Sequence, residues 1–364
     1  MISAVCPPRV GPTRSCRIPS AQAPEGRHKL AQRASAGFTK TNTASPGGAT
    51  QSLPSPAFSL LRKSANSALR LSLILAPFLS LSCTPFAHAQ SRKSCPDGVT
   101  LHASAAFALQ GNLLLATVSN AKSLANFSAS WDGRDTPLWS EAPSKSTLHT
   151  LIGVDLEKPA GHFDWKVSWK NAAGKEQTCA LSIAVRAAKF PTEHLKVENQ
   201  FVEPDPEQQK RAEDDQKKMR AIYDTITPER LWEGKFQVPL KGVTTGGNFG
   251  RRRILNGQAR SPHAGVDFPS PAGTPVYASQ AGKVVLAEDL YYSGNTIVID
   301  HGFGIYTLYA HLSEMAVHSG DHVAPAAEIG KVGSTGRVTG PHLHWGLTVE
   351  HARVNALSIA SLNP

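Results

Sequence analysis

The sequence predicts an all-β protein: an N-terminal β-sandwich module, a helical linker, and a C-terminal module of antiparallel β-sheets forming a groove. Three observations carry that reading. Period-two alternation runs through residues 95–187, a highly charged stretch follows from Pro204 to Tyr223, and glycine-punctuated, β-branched runs dominate from about Phe236 onward. A length of 364 residues allows two or three domains. The expected boundaries are 1–59 for a disordered or untranslated leader, 60–89 for a signal peptide, 90–190 for an Ig-like sandwich, 191–235 for the linker and 236–364 for the C-terminal domain.

Charge decides little about partners once it is located. The formal net charge is +10, but residues 1–89 hold 10 of the 38 Lys and Arg and only one acid, Glu25. From residue 90 on, 28 basic residues face 27 acidic ones, so nucleic acid is not implied as a partner. Between Leu69 and Ser82 a short apolar run, preceded by Arg62, Lys63 and Arg70 and followed by Ala87-His88-Ala89, has the layout of an export signal cleaved after Ala89. The run is too short for a membrane span and is broken by Pro77, so no stable membrane insertion is expected after cleavage. The alternative is lipid anchoring at Cys83, whose preceding Ser80-Leu81-Ser82 lacks the usual aliphatic residue at the third place back. Either way the chain is expected in the periplasm or cell envelope. An oxidising compartment favours a disulfide between Cys95 and Cys179, the two cysteines left after cleavage; two unpaired buried thiols are the other reading.

In the first module Phe163, Trp165, Val167 and Trp169 alternate with polar residues, as do Cys179, Leu181, Ile183 and Val185, which points Cys179 into the same core. Asp132-Gly133, Pro159-Ala160-Gly161 and Ala173-Gly174 supply the turns. Nothing in this module resembles a catalytic motif. The charged stretch up to Tyr223, with Ala212, Met219 and Ile222 as sparse apolar positions, reads as a solvated helix ending near Thr227-Pro228. Beyond Phe236 no helix pattern is visible.

Eight of the 14 histidines lie between His263 and His351. Three motifs stand out: His263-Ala264-Gly265-Val266-Asp267, then Tyr309-Ala310-His311-Leu312, then Gly340-Pro341-His342-Leu343-His344. In a strand, His342 and His344 share a face with Leu343 turned away, and an extended His263 to Asp267 would do the same. Imidazole and carboxylate are ligands that Zn²⁺ accepts. His318, His322 and His351 read as surface or core-satisfied residues, and His301 as ordering the turn at Asp300-His301-Gly302. Tyr309 reads as core packing, with the groove as its alternative.

These motifs, together with Gly250-Arg251-Arg252, Gly273-Thr274-Pro275-Val276-Tyr277-Ala278 and Gly333-Ser334-Thr335-Gly336-Arg337-Val338-Thr339, resemble the lysostaphin/LytM-type zinc endopeptidases of bacterial cell walls over roughly residues 236–357. The resemblance implies one Zn²⁺ per chain on His263, Asp267 and His344, with His311 and His342 as the catalytic pair. It further implies hydrolysis of peptide cross-links or stem peptides of peptidoglycan by metal-activated water. The sandwich is then expected to serve targeting or to dock an envelope protein partner. Other classes remain in view: a catalytically silent regulator that activates a cell-wall amidase, a histidine phosphocarrier, and a purely structural envelope protein. A regulator would announce itself by missing ligands, and all five residues are present.

Overall fold

The computed structural model describes residues 91–364 except 123, 142–145, 244–245 and 363–364. The leader, the export signal and Cys83 lie outside the described residues. The first module holds β1 (Ser91–Ser94), β2 (Thr100–Ala103), β3 (Phe107–Leu109), β4 (Leu113–Ser119), β5 (Ala125–Trp131), β6 (Arg134–Asp135), β7 (Thr147–Gly153), β8 (Gly161–Lys170) and β9 (Glu176–Arg186). They form two sheets, ordered β1-β2-β4-β7 and β3-β9-β8-β5-β6, around one core. The alternation read from the sequence closes that core: Trp165, Val167 and Trp169 are buried, while Lys166 and Lys170 between and beyond them are exposed. Cys95 and Cys179 form the expected disulfide, which ties the end of β1 in one sheet to β9 in the other.

The stretch between the modules is not helical throughout. It opens with β10 (Thr192–Leu195), continues into α1 (Pro206–Tyr223), and β10 then pairs in parallel with β11 (Arg252–Leu255), which turns back into β12 (Gln258–Ala259). A capping box starts α1, with Asp205 and Gln208 satisfying each other's backbone N–H and proline at the first turn. Met219, Ile222 and Tyr223 on its sparse apolar face pack on Leu286, Leu290, Val298 and Tyr306, so the helix lies on the C-terminal module.

That module comprises β13 (Gly265–Pro269), β14 (Pro275–Tyr277), β15 (Gly282–Leu290), β16 (Gly294–Asp300), β17 (Ile305–Met315), β18 (His322–Val323), β19 (Glu328–Val332), β20 (His342–Val349) and β21 (Ala352–Val354). Its main sheet runs β13-β20-β17-β16-β15-β18, with β14 and β19 attached through β17 and β21 through β20. The absence of helix beyond residue 236 needs one correction, α2 (Ala356–Ser361). Asn355 caps it by accepting the Leu357 N–H at 3.0 Å; a six-residue helix is too short to show a period. Among the described residues no helix is long and apolar enough to cross a membrane.

The two β modules share packing. Leu113, Trp139 and Leu151 of the sandwich belong to the same core as Trp232, Phe236, Val349 and Ala352. Arg353 grips Asp155 through two nitrogens at 2.8 and 3.0 Å, and the Asn355 N–H donates to Gly111 O at 2.8 Å. The sandwich is thereby fixed against β20 and β21, and β20, which carries His342 and His344, lies between β13 and β17 in the main sheet.

Candidate metal centre and its cleft

Register places the central residues. β13 and β20 are antiparallel with Asp267 directly opposite His344, so their side chains share a face. On β20 Leu343 is fully buried while His342 and His344 on either side are partly exposed, which is the shared face expected of period two. His263 lies two residues before β13, held by backbone bonds to Arg251 O at 2.9 Å and from Gly250 N at 2.8 Å. Gly265 lets the His344 ring lie against the backbone: a Cβ there would come within 2.5 Å of ring atoms Cε1 and Nε2.

Three donor atoms converge. His263 Nε2 lies 2.8 Å from His344 Nδ1, and each of these nitrogens lies 3.0 Å from Asp267 Oδ1. His263 Nδ1 faces Asn248 O at 2.9 Å; a carbonyl only accepts, so Nδ1 carries a proton and Nε2 is the atom turned to Asp267 and His344. Burial works to raise the Asp267 pKa, but the two imidazoles outweigh it and hold the carboxyl well below its ordinary value, hence ionised. Burial keeps His344 neutral, its pKa lowered although Asp267 opposes the shift. Two imidazoles and one carboxylate crowded at one point fit a shared cation, and the donor set suits zinc: tetrahedral bonds of ~2.0–2.1 Å place ligand atoms ~3.3 Å apart. Among the described residues this is the one group of three or more His, Cys, Asp or Glu that converges so.

His311 reaches the same place by breaking a rule. Tyr309 pairs with Trp345 and Ala310 with His344, so strict alternation would turn His311 into the core with Tyr309. His311 instead adopts a left-handed φ of 63°, and between Tyr309 and Leu312 β17 carries one residue more than its partner β16. The bulge re-aims the ring. It lies 4.8 Å from the His342 ring and 5.9 Å from that of His344, and lines a cleft of about 100 Å³ with Asp267, His342, Asn248 and Arg253. Burial, then the neighbouring imidazoles, push the His311 pKa down to about 3, so the ring is neutral. Its Nδ1 faces Thr335 O at 2.9 Å and that of His342 faces Gly340 O at 2.8 Å, so a backbone carbonyl takes up the Nδ1 proton of each ring.

Tyr309 is core: fully buried, its hydroxyl bonded to Ser279 Oγ at 2.9 Å and to Thr307 Oγ1 at 3.0 Å. His318 and His322 are exposed, whereas His301 is fully buried between Ala281 O and Thr307 Oγ1, each 2.7 Å away. Sequence reasoning missed Asn248. Besides accepting from His263, it donates its side-chain amide to Asp267 Oδ2 at 3.2 Å. It also missed that Glu193, Leu195 and Val197, from β10 and the residues after it, wall one side of the cleft.

Residues 261–356 match the sequence profile of peptidase family M23. The C-terminal module contains an M23 peptidase domain. Over 111 residues the chain is 48% identical to peptidoglycan DD-endopeptidase ShyA of Vibrio cholerae, covering 30% of this chain and 26% of that one. Over 102 residues it is 43% identical to DD-carboxypeptidase/endopeptidase Mpg of Neisseria meningitidis, covering 28% of this chain and 24% of that one. The match therefore spans about a quarter of the length of these curated relatives. Among solved structures it is similar to the antimicrobial peptidase lysostaphin from Staphylococcus simulans, with 38% identity, a TM-score of 0.24, and coverage of 28% of this chain and 42% of that one. All five predicted site residues fall inside the M23 domain.

Proposed function

We propose that this chain is an exported zinc endopeptidase that hydrolyses peptide cross-links or stem peptides of peptidoglycan. The observation that carries the reading is the meeting of His263, Asp267 and His344 at one point, with the rings of His311 and His342 beside it. Zinc on the three donors would supply Lewis acidity and an activated nucleophile near neutral pH. The rest is done by the chain. Asn248 fixes the His263 tautomer so that Nε2 faces Asp267 and His344. Thr335 and Gly340 do the same for His311 and His342, leaving both Nε2 atoms for the chemistry at the cleft. One takes the proton of the attacking nucleophile and returns it to the leaving amine, while the other orients that nucleophile by accepting a hydrogen bond from it. The substrate class is carried over from ShyA, a peptidoglycan DD-endopeptidase 48% identical to this chain over 111 residues. The Cys95–Cys179 disulfide supports export to an oxidising compartment. The regulator reading calls for an incomplete donor set, and this set is complete.

The test is a pair of variants assayed for metal content and for digestion of purified peptidoglycan. His344→Ala is expected to lose zinc and activity together. His311→Ala is expected to keep zinc and lose turnover by about 10²–10⁴-fold. Digestion that survives His344→Ala would sink the proposal.

A further inference from the structure

The cleft beside the candidate metal centre carries cationic charge that the hydrolytic machinery does not use. Arg253 on β11 lines it, about one-quarter exposed, and its Nη2 stands 3.8 Å from Asp267 Oδ2, beyond hydrogen-bond range. Its buried Nε has no hydrogen-bond partner. Arg337, in the loop leading to His342, lines the same cleft; its guanidinium lies over the Tyr292 ring and donates to Phe201 O at 3.3 Å. Arg253 is close enough to Arg337 for its charge to work against that of the Arg337 guanidinium. Asp267, the carboxylate nearest Arg253, is also the one that converges with His263 and His344. With that carboxylate committed to a cation, Glu193, already shared with Arg251, is the remaining carboxylate acting on the guanidinium in a partly buried site, where unbalanced charge is costly.

We infer that Arg253 and Arg337 form a carboxylate-binding subsite, which seats a carboxylate of the peptide next to the scissile bond. A guanidinium holds a carboxylate through two parallel N–H···O bonds, and the Arg253 Nη2 beside the cleft stands beyond hydrogen-bond range of Asp267. The chain already brings one such group to the place: Glu193 on β10 lines the cleft, its Oε1 3.5 Å from Arg251 Nη1. Arg253 also borders a second cleft of about 450 Å³ next to the sandwich, giving room for the peptide beyond the carboxylate. The inference rests on the peptidase reading only for the identity of the ligand, a peptide. The carboxylate is either a terminal α-carboxylate or a side-chain one.

The experiment is binding by calorimetry to the zinc-loaded full chain. The probes are a short acetylated D-alanine peptide with a free terminal carboxylate, its terminal amide, and an isomeric peptide with the carboxylate on a side chain. Wild type is expected to bind one of the acids about tenfold more tightly than the amide, and which acid it is identifies the source. Arg253→Gln is expected to bring that ratio within about twofold, whereas Arg253→Lys, which keeps charge but not the fork, retains part of it. Equal affinity for acid and amide in wild type, or an undiminished ratio in Arg253→Gln, would overturn the subsite. Zinc content is measured in each variant, and a preference lost only together with the metal also counts against it. If Arg253→Gln does not give a cooperative melt, Arg337→Gln answers the same question. Hydrolysis is scored separately, so a chain that prefers the acid without cleaving it retires the peptidase reading and leaves the subsite standing.

Discussion

Asn248 holds His263 and Asp267 at once: its backbone oxygen accepts the His263 Nδ1 proton at 2.9 Å and its side-chain amide donates to Asp267 Oδ2 at 3.2 Å. One residue thus sets both the tautomer of an imidazole and the angle of a carboxylate whose ligand atoms face each other at 3.0 Å. Groups that orient ligands in this way are commonly worth about 10–100-fold in metal affinity.

Asn248→Gly removes the amide while tolerating the local φ of 74°. The expected result is a loss of zinc affinity of about 10–100-fold in a chelator competition, with the fold retained. Unchanged affinity would show that Asp267 needs no help from Asn248.

Gly265 is the second lever on the same centre. A methyl group at this position meets the His344 ring at 2.5 Å, and Trp345 O lies 2.9 Å away on the neighbouring strand, so the ring must give. Gly265→Ala is expected to displace Nδ1 of His344 from Asp267 and to lower zinc content and peptidoglycan digestion in parallel. Far-UV circular dichroism should stay that of the parent.

The disulfide bridges 84 residues of sequence and joins the two sheets of the sandwich. Replacing Cys95 and Cys179 with Ser is expected to cost the sandwich about 2–4 kcal/mol, chiefly by freeing the unfolded chain. Because Leu113, Trp139 and Leu151 pack in the same core as Trp232 and Phe236, the loss is expected to lower the melting temperature of the whole molecule rather than of one module. Two separate transitions in calorimetry would contradict that coupling.

How much of this was legible depends on whether a residue's role follows from a period. The shared face of His342 and His344 does, because both lie on one strand with Leu343 buried between them. The sandwich core does as well, since Trp165, Val167 and Trp169 obey the same alternation. His311 was found through its motif and not its geometry: alternation assigns it to the Tyr309 side, and a left-handed residue in a bulge overrides that. Asn248 gave no signal, because half of its work is done by a backbone carbonyl in a loop. β10 was hidden for another reason. Four residues, Thr192–Leu195, pair with a strand some sixty positions later, and no local pattern announces a long-range parallel partner.

His301 gives the fold a defined acid limit. The ring is fully buried, packs edge-on against Phe236 with centroids 5.1 Å apart, and bridges Ala281 O and Thr307 Oγ1. Burial lowers its pKa from 6.5 to about 4, against the small opposing pull of the Ala281 carbonyl. The folded protein therefore holds the ring neutral while the unfolded chain protonates it more readily. The stabilisation is fully present above pH 6.5 and is lost progressively as the pH falls from there toward 4. At full extent it amounts to about 3 kcal/mol. Urea unfolding between pH 7 and 4 is expected to show this slope, and His301→Gln, which cannot titrate, is expected to flatten it while lowering stability at pH 7. A variant whose slope matches the parent's would place the acid sensitivity in another group.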